Sequence, residues 1–71
     1  MSRIVSEWAP LKDGQYILLL DSEVPNIKFT KYRIAGKEYE PLQIHIPGEY
    51  LLKSIALKGE GGFVGKEVDF I

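Results

Sequence analysis

The sequence predicts an all-β fold: a small, partly open barrel of about five or six short antiparallel strands, of SH3-like or OB-like type. Three observations carry this. Several segments alternate apolar and polar residues, which is the period of a half-buried strand. Gly, Pro, Asn and Asp punctuate the chain every roughly 8–12 residues, as turns between short strands do. A chain of 71 residues also cannot leave long sheet edges bare, and curling into a barrel protects them. It is long enough for one domain, residues 1–71, and buries only about 60% of its unfolded surface.

Residues 1–8 read as a first strand. Asp13-Gly14 is a turn signal, because both residues tolerate positive φ. Tyr16-Ile17-Leu18-Leu19-Leu20 is a continuous apolar run, which fits a central strand covered on both faces. In residues 27–34 the apolar positions shift from odd (Ile27, Phe29) to even (Tyr32, Ile34). Side chains alternate faces with period two, so the shift implies a bulge or sharp bend near Thr30-Lys31. Ala35-Gly36 is the next turn, with Gly36 at positive φ.

Residues 37–46 read as the returning strand, with Leu42, Ile44 and Ile46 on one face and an early break at Pro41. Pro47-Gly48 is a turn. Residues 48–58 support two readings. Leu51, Leu52, Ile55 and Ala56 have helical spacing, and a helix there would make the fold α+β. The alternation of Ile55 and Leu57 favours a strand after a turn. Gly59-Glu60-Gly61-Gly62 reads as a flexible hairpin connection, and residues 63–71 as the last strand, with Val64, Val68 and Phe70 on one face.

Composition excludes several functions. With no cysteine there is no disulfide, no Cys-ligated metal and no thiol nucleophile. This favours a reducing, cytoplasmic setting. The N-terminus lacks the apolar core of a signal peptide, and no apolar run is long enough to cross a bilayer as a helix. A net charge of −1 gives no general attraction to nucleic acid or to an anionic membrane. Starting with Met and lacking linkers, the chain reads as a complete small open reading frame of bacterial or phage type.

No catalytic, cofactor or metal motif is found. The segment Gly59-Glu60-Gly61-Gly62-Phe63-Val64-Gly65-Lys66 fails as a phosphate loop, because Glu60 stands where the first glycine is needed and Glu67 where Ser or Thr is needed. His45 is the chain's one histidine, with no partner ligand in the sequence around it. The pairs Glu38/Glu40 and Glu67/Asp69 are best read as cross-strand partners for basic residues.

Two features point to binding. Lys28, Phe29, Lys31, Tyr32 and Arg33, with Lys37 and Tyr39 across the turn, combine cations with aromatic rings, as single-stranded nucleic-acid sites do. That function requires Lys28, Lys31, Arg33 and Lys37 to converge on one surface. Trp8 reads first as a plug for the barrel end. If exposed beside Tyr16 or Tyr50, it is instead an anchor for a peptide. The leading functional expectation is a non-enzymatic binding module, whose partner is another protein or a second copy of itself. Single-stranded nucleic-acid binding through residues 28–39 is the alternative.

Overall fold

The computed structural model describes residues 2–43 and 52–71. They form six antiparallel strands: β1 (Ser2–Lys12), β2 (Gln15–Leu20), β3 (Tyr32–Ile34), β4 (Lys37–Tyr39), β5 (Ser54–Lys58) and β6 (Glu67–Phe70). No helix occurs among the described residues. The six strands make one sheet in the order β4-β3-β6-β1-β2-β5. The sheet is not closed. Its two outer strands approach through one bridge, Pro41 to Leu57, and one further bond from the Leu42 N–H to the Ala56 carbonyl at 2.9 Å. The expected all-β, partly open, barrel-like fold is therefore observed.

β1 is the longest strand and joins the two halves of the barrel. Ser2, Arg3 and Ile4 pair with β6, and the stretch from Val5 onward pairs with β2. A register shift between Val5 and Glu7 leaves Ser6 as an extra residue. This β-bulge changes the phase of the strand. Val5 lies opposite Leu20 and Trp8 opposite Leu18, so an odd and an even residue face the same interior.

That interior holds Val5, Leu18, Leu20, Ile34, Leu57 and Val68, all essentially fully buried, with Tyr32, Tyr39, Ile55 and Phe70 around them. Each large apolar side chain so buried contributes on the order of 1.5–3 kcal/mol relative to exposure. Phe29, Tyr32 and Phe70 pack as a trio, with ring centroids 5.0–5.7 Å apart.

β2 matches the predicted central strand, paired on both sides. The 27–34 strand is shorter than expected: only Tyr32–Ile34 is strand. The phase change has the anticipated cause, a bend at Thr30. There the chain turns to bond its own end, with the Thr30 and Lys31 amides donating to the Ile71 carbonyl at 2.7 and 3.0 Å. The Ala35-Gly36 turn has positive φ at both residues, 52° and 81°. Both signs match a type I′ hairpin turn. β4 ends at Tyr39, since Pro41 cannot donate to a continuing ladder.

The later part of the expected 37–46 strand falls on residues 44–51, outside the described set, as do His45, the Pro47-Gly48 turn and Tyr50. Residues 52–53 are a turn, and 54–58 are strand, not helix. The last strand is confined to Glu67–Phe70, and Val64 is 58% exposed instead of sharing the inner face with Val68.

The largest correction concerns residues 59–62. They are not a hairpin connection, because β5 and β6 are not neighbours: β2 and β1 lie between them. Residues 59–66 instead cross the end of the barrel.

Candidate functional site

Trp8 does not plug the core. It is 44% exposed. β6 follows β1 only as far as Ile4, so no described strand pairs with the far edge of residues 7–12. All six residues of that stretch are exposed. Trp8 therefore stands on the inner face of the sheet where the barrel is open. Tyr16 meets it at a centroid distance of 5.6 Å with the rings tilted by 58°.

The hydrogen-bond pattern identifies which backbone groups of this edge have no partner among the described residues. The Ala56 carbonyl accepts from Leu42, so Ala56 turns its polar groups away from β2. Antiparallel ladders alternate bonded and non-bonded pairs. Ile17, opposite Ala56, thus turns toward β1 and bonds Ala9, its partner there. Trp8 and Pro10 consequently direct their backbone groups outward. Trp8 offers both an N–H and a carbonyl, while Pro10 offers only a carbonyl.

The 59–66 segment packs over the two rings. A Cβ built on Gly61 would lie 2.6 Å from Cζ3 of Trp8 and 2.7 Å from Cδ1 and Cε1 of Tyr16. Its bare backbone is what allows this approach. Glu60 accepts from Nζ of Lys37 at 3.1 Å and from the Tyr39 hydroxyl at 3.5 Å. Phe63 packs edge-on against Tyr39 at 5.4 Å. The Glu60 carboxylate raises the Lys37 pKa above its ordinary value, first through the hydrogen bond and then through charge attraction. The sequence pointed to Trp8 beside Tyr16 and to Lys37 with Tyr39, but not to Glu60, Gly61 or Phe63 as their partners, because those contacts join segments far apart in the chain.

The basic cluster is placed differently from its expectation. Lys31 and Arg33 do share a surface, but both are paired with Glu38, at 3.4 and 3.1 Å. The Arg33 hydrogen bond, then that of Lys31, lowers the Glu38 pKa. Lys37 turns away to Glu60 and lies 5.6 Å over the Tyr39 ring. Lys28 is exposed before the Thr30 bend. Lys37 does not join Lys31 and Arg33 on one surface.

Nor do the aromatic residues of that group present open faces beside the cations. Tyr32 and Tyr39 are buried, and Phe29 packs on the core. Phe29 and Tyr32, with Thr30, Pro41, Leu42 and Gln43, line an open cavity of about 520 Å³. Burial pushes the Tyr32 pKa up to about 12.

Among the described residues no three His, Asp or Glu side chains come together as a metal site, and no helix is long and apolar enough to cross a membrane. The chain thus defines a small open antiparallel barrel with the half-exposed Trp8 beside the partly buried Tyr16, at an edge that no described strand pairs. Comparison with protein-family models, with curated proteins and with solved structures finds no match.

Proposed function

We propose that this chain is a non-enzymatic protein-binding module of the cytoplasm, and that it holds a short extended segment of a partner protein against Trp8. The observation that carries this reading is the exposure of Trp8 beside Tyr16, on a stretch of β1 whose outer edge no described strand pairs. Tryptophan and tyrosine are the side chains most enriched where binding energy concentrates. An extended peptide can add to a free sheet edge while its side chains enter an apolar surface, and SH3-like barrels use aromatic grooves in a related way.

The edge favours a short occupant. Trp8 can exchange two backbone bonds with an incoming chain, but Pro10 cannot donate the next one. Pairing is therefore short. This suits a brief peptide segment and disfavours a long strand from another sheet or a second copy of this chain, for which Pro10 interrupts the ladder.

The test is selection of a displayed random-peptide library on the full chain, followed by titration of the enriched peptides with the Trp8→Ala variant as comparison. Loss of a central interface tryptophan costs at least about 2 kcal/mol, or about thirtyfold in Kd. Enriched peptides that bind Trp8→Ala as tightly as the parent overturn the reading. Sedimentation showing a dimer that Trp8→Ala dissociates would place a second copy on this edge instead of a peptide.

A further inference from the structure

The same contacts that place Gly61 against the two rings also make the 59–66 segment a cover for them. We propose that this segment is a latched lid on the Trp8–Tyr16 surface, and that release of the Glu60–Lys37 ion pair uncovers the rings to the incoming peptide. The proposal rests on the peptide-binding reading above and adds its regulation.

Three observations support it. First, Gly61 is glycine for reasons of space: its φ lies outside the left-handed region, yet any Cβ would collide with Trp8 and Tyr16. The lid's own backbone therefore sits on the surface that a ligand would contact. Second, the latch is weak by construction. Lys37 and Glu60 are 64% and 61% exposed, and salt screens exposed pairs. Third, Gly61 is flanked by Gly59 at φ 138° and Gly62 at φ 90°. Such residues take up large backbone changes at no Cβ cost.

Beyond this short piece the chain is anchored. Phe63 packs on Tyr39, and the Gly65 amide donates to the Val5 carbonyl at 2.8 Å. On the other side the Gly59 amide donates to the Gly14 carbonyl at 2.8 Å, so the movable part is confined to residues 60–62, with Gly61 directly over the rings.

Trp8 is the chain's only tryptophan, so its fluorescence reports the lid without a ligand. Acrylamide quenching is measured on the full-length parent, Glu60→Gln and Gly61→Ala, each at low and high sodium chloride, with a melting curve for each. The lid predicts that Glu60→Gln raises the quenching constant at low salt, that salt raises it in the parent, and that salt no longer changes it in Glu60→Gln. Gly61→Ala raises it at both salt concentrations. The library-selected peptides then bind both variants more tightly than the parent.

Equal quenching in the parent and in a folded Glu60→Gln protein, at both salt concentrations, overturns the lid, whatever the peptides do. Because Glu60 is a surface residue, this arm holds even if Gly61→Ala fails to fold. Raised quenching in variants that bind no selected peptide locates the failure in the peptide reading, and with it the lid's proposed role.

Discussion

Trp8 and Tyr16 are diagonal neighbours across the β1–β2 ladder, with ring centroids 5.6 Å apart. The Ser6 bulge is what brings them together. If Ser6 instead took a regular ladder position, Trp8 would point to the face opposite Val5 and could not meet Tyr16. Deleting Ser6 should therefore leave Val5, Glu7 and Trp8 opposite Leu20, Leu19 and Leu18 in a regular ladder, with the rings still together and the Trp8 fluorescence unchanged. A bulge thus links a local irregularity of the chain to the aromatic pair beneath residues 59–66.

The Ala35-Gly36 turn gives a direct stability test. Gly36 sits at φ 81°, a region that β-branched residues resist, so Gly36→Val should destabilise the protein by more than about 1 kcal/mol. Ala35, at φ 52°, carries the same strain in milder form. Ala35→Asn should stabilise by about 0.5–1 kcal/mol, since Asn tolerates this conformation and Asn-Gly is the preferred pair for the turn. Urea denaturation of both variants checks the two signs together. An unchanged midpoint for Gly36→Val would contradict the hairpin.

Tyr32 predicts an alkaline dependence. Burial raises its pKa from 10.0 to about 12. The folded protein thus keeps its proton at pH values where the unfolded chain has lost it. The contribution is fully present below about pH 10 and is lost as the pH rises toward the folded value. Relative to Tyr32→Phe, the parent should lose stability progressively across that window. A constant gap between the two denaturation midpoints would show that the hydroxyl is not desolvated.

Much of the fold was legible in the sequence, and the missing parts share a cause. The run from Tyr16 to Leu20 announced a central strand, and β2 pairs with β1 and β5, although Ile17 and Leu19 on its second face are only partly buried. Ala35-Gly36 announced its turn, and the apolar phase change announced the Thr30 bend. These are local signals. The insertion of β6 between β3 and β1 is not local, and nothing near Gly59 indicates that the next strand lies across the barrel. Reading residues 59–62 as a hairpin followed from that omission. Trp8 is the intermediate case. Val5 and Trp8, of opposite parity, carried the same phase signal as residues 27–34. Its exposure, however, depends on where β6 ends, which only the three-dimensional pairing determines.

The basic residues were identified as a group by type, and the fold disperses them by pairing. Glu38 is paired with Lys31 and Arg33, and Glu60 with Lys37, so carboxylates offset three of the four cations that a phosphate backbone would meet. Mixed-sequence single-stranded DNA and RNA should show no saturable change in anisotropy at low salt, where nonspecific attraction is strongest. Salt-sensitive binding that is abolished by Lys31→Glu with Arg33→Glu, in a folded protein, would restore the nucleic-acid reading.

The most direct measurement is the affinity of library-selected peptides for the parent and for Trp8→Ala, with melting curves to show that both are folded. The account predicts that selection yields peptides whose binding weakens by about thirtyfold or more when Trp8 is truncated, while the melting temperature changes little because the ring is half in solvent. Peptides that bind both proteins equally, or a selection that enriches none, would contradict Trp8 as the centre of a protein-binding surface.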